Sequence, residues 1–515
     1  MYQATQSAFI LTSRGAGFLT TRRIKSFKCF VIGAVIINLL LFLSLAWKNA
    51  PRSPLSDVMN AGLLDVASNN NPNEIQPKRP FELGLPKGGA SLEATSGWTI
   101  QEQEAVRKSA CSYRTAVYMN NKHIDLNLPP FVHHVKSMTC LEGGEIAIFD
   151  DKFVKFNNVI IDSSKITNLR KGGEKMEDVW NQSEDEEYLK LEPGFFKASC
   201  LNPPVFNFPP ADHLLEWAKS LQCYTANETV LSQYPLFTGT TLAIQRYEYV
   251  NLYHTMTDFY NAFVLMLIFG VPPSKLNILA VDAHPEGALD PVWKTLFGKF
   301  FRAGHLKEPT VFENLVWGLL GYFSPLNEHE RTEVPYLTEF REFFLTRHNI
   351  STDHAINCDR LNVVIIWRRD YVAHPRNPKG SVVRKFDNEE EIVQQVKETL
   401  GPGANVQGMQ LDNMLMQDQL HVIAKTDILM GMHGAGLSHI LFLPATSGVI
   451  EFKPEYSNPA LQHFKAFAYW RKLPYTIWHN YDTNNEKEFH KTYIPRDIVK
   501  KTVTEIFQEI CKTVR

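Results

Sequence analysis

The 515-residue sequence has no excess of charge of either sign, since 53 Lys and Arg residues face 55 Asp and Glu residues and the formal net charge is -2. This balance argues against a nucleic acid as the main partner, and we expect none. Cysteine is scarce as well: the seven cysteines include no Cys-x-x-Cys pair, which excludes a zinc module of that type. A content of 44% hydrophobic residues with 28 Gly and 29 Pro is typical of a folded protein of two or more domains.

Acidic residues are absent from the first 28 positions, which contain five Lys and Arg residues. Residues 29–47 then form an uncharged, mostly apolar run, close to the ~20 residues that a helix needs to cross a bilayer. We therefore predict a cytoplasmic tail over 1–28 and one transmembrane helix over 29–47, with the rest of the chain in the lumen. A cleaved signal peptide is the alternative, but the run starts late and no small-residue cleavage site follows it.

The predicted lumenal part begins with a segment that has few aromatic residues. Residues 48–97 are rich in Pro, Asn, Ser and Gly, so they cannot bury a core and are predicted to be a stem. Asn181, Asn227 and Asn349 each start an Asn-x-Ser/Thr triplet and are candidate N-glycosylation sites, unless the triplets arise by chance. The six cysteines outside the transmembrane helix could form disulfides, but the sequence does not determine which ones pair.

Two α/β domains are predicted after the stem, at 98–358 and 359–515, because the remaining chain is too long for one typical core. In the second domain, apolar β-branched runs alternate with helical patterns, which is typical of a doubly wound parallel sheet. The predicted strands of that domain are 362–367, 427–432 and 448–452, and its predicted helices are 388–400 and 496–515. The first domain contains a predicted strand at 276–282 and an apolar helix at 253–269.

Small residues follow the strand predicted at 427–432. The segment His433-Gly434-Ala435-Gly436 would let the backbone approach a ligand closely while the amides of the next helix point at it, which suits a phosphate. Glu451 lies in the next predicted strand, where acids of dinucleotide sites bind ribose hydroxyls. These five residues are candidate donor-binding residues. The alternatives are a tight strand-to-helix turn and a solvated acid.

Basic residues follow the strand predicted at 362–367. Arg368 and Arg369 come directly after it, and His374 and Arg376 lie in the same loop. Ligands of open α/β sheets bind at the carboxyl ends of strands, so we expect Arg368 to bind the pyrophosphate of a donor, with the other three as possible substrate-binding residues. An exposed basic turn is the alternative.

A histidine and an aspartate lie four residues apart at the start of the helix predicted in the first domain. His254 and Asp258 would share one helix face. Such a pair can take a proton from a hydroxyl, with the imidazole as general base and the carboxylate holding its tautomer, or with the carboxylate acting alone. Both are candidate catalytic residues, and Arg246 just upstream is a possible substrate-binding residue. A structural histidine capped by the aspartate is the alternative.

The sequence lacks an Asp-x-Asp motif between apolar runs, the type that holds a divalent cation on a nucleoside diphosphate. Asp150 and Asp151 are the closest approach to it. We therefore expect no required metal and no cofactor. The charge of a leaving diphosphate would be met by Arg368 and by helix amides instead.

Three motifs together resemble a family of lumenal glycosyltransferases that includes plant-type β-1,2-xylosyltransferases, xylan arabinosyltransferases, and the EGF-domain and O-mannose GlcNAc transferases. The motifs are QRYEYVNLYHTMTD at 245–258, RRDYVAHPR at 368–376 and GMHGAGLSHI at 431–440. They are similar to the β-1,2-xylosyltransferase branch in particular, and the resemblance covers most of 111–479. Arg369 stands where that branch has an acid.

The resemblance implies a GT-B fold, in which two Rossmann-like α/β domains face a cleft, with the acceptor at 98–358 and the nucleotide sugar at 359–515. It implies transfer of xylose from UDP-xylose to O2 of the core β-mannose of N-glycans, with inversion and without a metal. The protein would be a single-pass type II protein of the Golgi membrane. His254 or Asp258 would deprotonate the acceptor hydroxyl, and Arg368 with the 434–436 amides would stabilise the departing UDP.

Other functions stay open on the sequence alone. The same fold could transfer GlcNAc or arabinose to a protein or a polysaccharide, because donor choice depends on a few pocket contacts. A noncatalytic lumenal binding protein and a membrane-anchored scaffold are further alternatives. Detectable turnover of a UDP-sugar would exclude both of these, and the scaffold predicts no affinity for UDP.

Overall fold

The computed structural model describes residues 138–512, except for short gaps at 142–144, 150–151, 207, 209–211, 226–227 and 320. The described residues belong to one compact unit, Met59–Arg515. Among the helices described, none is long and apolar enough to span a bilayer. The predicted tail, transmembrane helix and stem lie outside the described residues, as do Asp150, Asp151 and Asn227.

Nine strands form the first large sheet. They are β1 (Met138–Leu141), β2 (Ile146–Phe149), β3 (Phe153–Ile161), β4 (Phe196–Ser199), β5 (Leu221–Tyr224), β6 (Leu236–Ile244), β7 (Leu276–Ala280), β8 (Phe300–Arg302) and β9 (Thr310–Trp317). The order is β1-β2-β3-β9-β6-β7-β8, with β4 paired to β3 and β5 paired to β4. The neighbours β9, β6, β7 and β8 run parallel, whereas β1, β2 and β3 are antiparallel. The sheet is therefore mixed.

Five parallel strands form the second large sheet, and three short strands form a small one. The strands after β9 are β10 (Asn362–Ile366), β11 (Lys385–Phe386), β12 (Asn405–Met409), β13 (Ile428–Met432), β14 (Gly448–Lys453), β15 (Tyr475–His479), β16 (Glu486–Lys487) and β17 (Lys491–Thr492). The second sheet has the order β12-β10-β13-β14-β15, and every pair in it is parallel. The strands β11, β17 and β16 form the small sheet.

Helices connect the strands and cover the sheets. They are α1 (His213–Ser220), α2 (Glu228–Leu231), α3 (Leu252–Ile268), α4 (Asp290–Leu296), α5 (Leu337–Arg347), α6 (Glu389–Leu400), α7 (Met416–Ile423), α8 (His463–Trp470) and α9 (Arg496–Lys512). A 3-10 helix, Ala435–Phe442, follows β13. Helix α9 is amphipathic, and its apolar residues Val499, Val503, Ile506 and Ile510 lie three or four positions apart and are buried.

Helix α3 joins the two parts of the fold. It is largely apolar, and 14 of its 17 residues are buried, as expected for a helix inside a core rather than on a surface. It packs against the 3-10 helix Ala435–Phe442, and one hydrophobic core includes residues of both segments. This packing fixes the start of α3, where His254 lies, relative to the segment 433–436.

The parallel α/β architecture predicted from the sequence is confirmed. The predicted strands and helices of 359–515 all occur, with ends shifted by a few residues. Two pairs of cysteines form disulfides, Cys200–Cys223 and Cys358–Cys511, and the second attaches α9 to the segment before β10. The boundary predicted near 358 falls between the two large sheets and stays a prediction.

Candidate active site

The loops that follow β10 and β13 meet at a reversal of strand order. Strand β10 lies between β12 and β13. The connection after β10 leads to β12 on one side of it, and the chain then returns to β13 on its other side. Open parallel sheets bind ligands at such a switch point, at the carboxyl ends of the strands. Arg368 follows β10 and His433 follows β13, so the fold brings together two of the motifs that the sequence analysis singled out.

A pocket of about 630 Å³, counting its open mouth, lies at this point. Both parts of the fold contribute to its wall, which is largely apolar with a few polar groups. The lining residues are Val250, Leu252, Leu289, Ile366, Trp367, Arg368, Tyr371, Leu411, Asp412, Met416, Gln419, Met432, Ala435, Gly436, Leu437 and His439.

The guanidinium of Arg368 lies against the backbone of Gly434. Nε donates to the carbonyl oxygen of Val383 at 3.0 Å, which holds the side chain in place. A Cβ atom at position 434 would lie 2.2 Å from Nη1 of Arg368. Since φ of Gly434 is 167°, an ordinary extended value, glycine is needed here for the close approach and not for the backbone conformation.

The positive charge of Arg368 has no carboxylate partner at ion-pair distance among the described residues. Burial lowers its pKa, and nearby Tyr371 and Asp412 act in the opposite direction. Arg368 is half-buried, and a half-buried cation without a carboxylate partner favours the binding of an anion. The geometry thus agrees with the predicted phosphate-binding role of Arg368, Ala435 and Gly436, and that role stays a prediction.

His433 is held by a buried carboxylate. Its Nδ1 lies within hydrogen-bonding distance of Oε1 of Glu451, and the hydroxyl of Tyr475 donates to Oε2 of the same carboxylate. Glu451 is only 1% exposed. The prediction that Glu451 binds ribose hydroxyls therefore conflicts with the structure, because both of its oxygens are engaged. Glu451 instead fixes the ring orientation of His433.

The candidate base His254 lies in the first turn of α3. The side chain of Asn251 caps the helix by accepting from the amide of Tyr253 at 3.1 Å, which sets the position of the next residue. Burial lowers the pKa of His254 to about 4, so the imidazole is neutral at ordinary pH and can accept a proton.

Asp258 lies one turn further along α3 and is 5% exposed. Burial raises its pKa well above the usual range, with Arg246 acting in the opposite direction. Its Oδ2 has no hydrogen-bond partner among the described residues. These surroundings favour the protonated form, so Asp258 is a poor general base and the predicted alternative, in which it acts alone, loses support.

A cluster that the sequence analysis missed lies between His254 and His433. The hydroxyl of Tyr253 is 2.8 Å from Nε2 of His329, and the ring of Tyr253 stacks on His463 at 4.6 Å. Burial first, and then the neighbouring histidines, lower the pKa of His463 to about 3. His329 and His463 are far apart in the chain and belong to no motif, so no local signal could have found them.

Arg246 belongs to a buried ion-pair network and not to the pocket. Its Nη2 contacts Asp282 at 2.7 Å and its Nη1 contacts Asp290 at 2.8 Å, while Arg302 contacts Asp290 at 2.6 Å. Arg246 is fully buried. The prediction that it binds a substrate is wrong in this structure, because all its nitrogens face protein groups that anchor β6 to β7 and α4.

The other basic residues of the 368–376 motif also lie away from the pocket. Arg369 is exposed and pairs with Glu389 at the start of α6. His374 is fully buried, 3.3 Å from Glu187, and Arg376 contacts Glu187 at 2.9 Å and Glu248 at 3.0 Å. These contacts attach the loop to the first part of the fold. The predicted substrate-binding roles of all three are therefore not supported.

Two of the predicted glycosylation sites can be located. Asn181 and Asn349 are both exposed, which a glycan requires, and Asn227 lies outside the described residues. Within the region that the structure describes, no group of three or more His, Cys, Asp or Glu side chains is arranged to hold a metal. Glycosylation at these sites stays a prediction.

Comparison with known proteins supports the resemblance. Residues 252–450 match the family glycosyltransferase 61. The chain is 27% identical to β-1,2-xylosyltransferase RCN11 of Oryza sativa subsp. japonica over 348 residues, which cover 60% of this chain and 64% of that protein. It is 24% identical to the β-1,2-xylosyltransferase of Arabidopsis thaliana over 415 residues, 66% of this chain and 74% of that one. The match thus spans just under two thirds of the rice protein's length.

A second group of relatives is similar over a shorter stretch. The EGF domain-specific O-linked N-acetylglucosamine transferase of Rattus norvegicus is 28% identical over 244 residues, 44% of this chain and 43% of that protein. Among solved structures, the rubredoxin oxygen:oxidoreductase of Desulfovibrio gigas covers 40% of this chain at 7% identity with a TM-score of 0.22, too low to support any argument. The segment 252–450, which matches the glycosyltransferase 61 family, contains the candidate site residues His254, Arg368 and His433.

Proposed function

We propose that the protein is an inverting β-1,2-xylosyltransferase that transfers xylose from UDP-xylose to O2 of the core β-mannose of N-glycans. The observation that carries the proposal is the unpaired Arg368 guanidinium beside Gly434 at the switch point of the second sheet. The two xylosyltransferase relatives supply the choice of sugar. We further infer that 98–358 and 359–515 are the two domains of a GT-B fold, whose cleft contains this site.

The donor diphosphate would bind at the loops after β10 and β13. Arg368 would supply a positive charge from one loop, and the amides of 434–436 would contribute donors from the other. As the bond from the anomeric carbon to the diphosphate breaks, negative charge grows on the leaving oxygen. Preorganised donors at that position stabilise this charge without reorganisation of solvent. The mechanism needs no metal for this step, and we propose that none is required.

His254 would act as the general base. The acceptor hydroxyl attacks the anomeric carbon from the face opposite the diphosphate, which inverts the configuration, and the hydroxyl proton passes to the imidazole. The lowered pKa of His254, about 4, keeps it ready to accept that proton. Asp258 is proposed to remain protonated beneath it, as a structural neighbour of α3.

His433 would orient a polar group of the donor or of the acceptor. Its Nδ1 is engaged by Glu451, so the ring has a fixed orientation and its Nε2 has a defined direction. His433 and His463 have ring centroids 5.8 Å apart, and Tyr253 connects His463 to the start of α3. The segment 433–436 and the base are thereby held by one continuous set of contacts.

The location of the protein is part of the proposal. Residues 29–47 would anchor it in the Golgi membrane as a single-pass type II protein with the catalytic part in the lumen. The two disulfides suit an oxidising compartment, and exposed Asn181 and Asn349 are available for glycosylation there. The acceptors would then be glycoproteins that carry processed N-glycans.

A second candidate is transfer of GlcNAc to a protein. It is favoured by the 28% identity over 244 residues to an EGF domain-specific O-linked N-acetylglucosamine transferase. The two candidates share the proposed diphosphate site and differ in the sugar and in the acceptor. The longer matches to the xylosyltransferases favour the first candidate.

A donor panel tests the choice. The full-length chain would be incubated with UDP-xylose, UDP-GlcNAc or UDP-arabinose, each with an N-glycan that bears terminal GlcNAc on its trimannosyl core or with a folded EGF domain, and UDP release would be measured. The proposal predicts release that depends on the glycan and is at least ~10-fold faster with UDP-xylose, the discrimination that a few pocket contacts provide. Release that depends on the EGF domain and on UDP-GlcNAc would establish the second candidate instead.

A further inference from the structure

A second arginine lies beside Arg368, and the sequence analysis gave it no role. Arg384 directly follows Val383, whose carbonyl oxygen accepts from Nε of Arg368. Its φ is 62°, in the left-handed region that residues other than glycine seldom adopt. Such strained residues concentrate at ligand sites, where the surrounding structure enforces the conformation. The backbone amide of Arg384 donates to the hydroxyl of Tyr456 at 3.2 Å, which helps to hold it.

The guanidinium of Arg384 lacks a counter-charge. Its Nε is buried and has no hydrogen-bond partner in the described part of the chain. No carboxylate of that part lies within 4.0 Å of the side chain. Glu451 acts on it electrostatically, but both carboxylate oxygens of Glu451 are engaged by His433 and Tyr475. Burial, and then the charge of Arg368, lower the pKa of Arg384 to about 9.

Two half-buried guanidiniums that repel each other are unfavourable in a folded protein unless something compensates both charges. A single carboxylate would be small for this task, whereas a diphosphate carries two adjacent anionic groups with several acceptor oxygens. The planar fork of an arginine fits such oxygens in pairs. Arg384 is connected to Arg368 through Val383, so both cations belong to the same loop region near Gly434.

We propose that Arg384 is a second phosphate-binding residue, which binds the diphosphate of a nucleoside diphosphate ligand together with Arg368. The inference rests on the proposed function in that the ligand is the donor UDP-sugar. It adds a binding residue that lies outside all three sequence motifs. The role is one of binding: Arg384 contacts the leaving diphosphate and transfers no proton.

Calorimetric titration of the full-length chain with UDP and with uridine tests this role. Arg384→Asn removes the cation and keeps a residue that tolerates the left-handed conformation, so the fold should survive. Arg384→Lys keeps the charge but loses the fork. Arg496→Gln is the matched control, because Arg496 is exposed on α9 and pairs with Glu398. Thermal unfolding of each variant verifies that it is folded.

The expected result is a loss of UDP affinity of about 10- to 100-fold in Arg384→Asn and a smaller loss in Arg384→Lys, as for one charge-assisted hydrogen-bonding group. Uridine affinity and the Arg496→Gln variant should stay within about twofold of the original values, because neither involves the diphosphate contact. Unchanged UDP affinity in a folded Arg384→Asn variant would overturn the inference, whether or not xylose is transferred. If UDP binding depends on Arg384 but no xylose reaches an N-glycan, the inference stands and the proposed function fails.

Discussion

Substitution of one glycine should weaken donor binding and leave the fold intact. In Gly434→Ala, the new Cβ atom would lie 2.2 Å from Nη1 and 2.8 Å from Cζ of Arg368, whereas non-bonded heavy atoms prefer ~3.5–4.0 Å. The backbone accepts alanine, because φ is 167°. The tip of a flexible side chain moves at little cost in stability, so the guanidinium withdraws by about 1 Å, and a misplacement of that size can cost ~100-fold in rate.

The expected change in kcat/KM for Gly434→Ala is a loss of about 10- to 100-fold, equivalent to ~1.4–2.7 kcal/mol, with weaker UDP binding as the cause. Calorimetry with UDP and a thermal unfolding curve measure the two properties separately. Gly436→Ala is the comparison within the same segment, because its Cβ would meet only the two methyl groups of Ile366, at 3.2 and 3.6 Å, and its loss should be smaller. UDP affinity within twofold of the original in folded Gly434→Ala would refute the reasoning.

Three further predictions concern neighbouring groups. Glu451→Gln should lower kcat by ~10- to 100-fold, because it removes the carboxylate that orients His433, and Tyr475→Phe should lower kcat less. Equal kcat in the unchanged chain and in both variants would contradict the positioning role of Glu451. Arg246→Met should lower the free energy of unfolding by ~3–5 kcal/mol in urea, because Asp282 stays buried without its partner; a value near zero would show that the network is dispensable. Since the pKa of His254 is lowered to about 4, the acid limb of kcat/KM should lie near pH 4, because the base is protonated only below it; a limb near 6.5 would exclude His254.

The sequence predicted the three central strands of the second sheet, β10, β13 and β14, because their signals are local, and it missed the edge strands β12 and β15. Buried parallel strands give continuous β-branched runs, such as 362–367, and the helices between them have a clear period. Candidate donor-binding residues follow the carboxyl ends of these strands, so Arg368 and Gly434 could be proposed from their position after a strand. The first sheet was predicted less completely, since its antiparallel strands β1 to β3 join a parallel region through pairings that span many residues.

Residue type alone did not distinguish cations without a carboxylate partner from cations that form ion pairs within the fold. Arg246, Arg369 and Arg376 were possible substrate-binding residues beside Arg368, but each pairs with a carboxylate from another segment. Arg384 lies in no motif and was missed, although in the structure it lacks such a partner. The difference is the long-range charge balance of each side chain, and a single sequence does not show that balance.

Mass spectrometry of the reaction product tests the central claim most directly. The full-length chain would be incubated with UDP-xylose, EDTA and an N-glycan that bears terminal GlcNAc on its trimannosyl core, beside a folded His254→Ala variant. The account predicts that the glycan gains one pentose in the presence of EDTA and that the variant yields far less product. No gain of a pentose by the unchanged chain, while UDP still binds, would contradict the assignment of donor and acceptor, and full activity in the variant would contradict the assigned base.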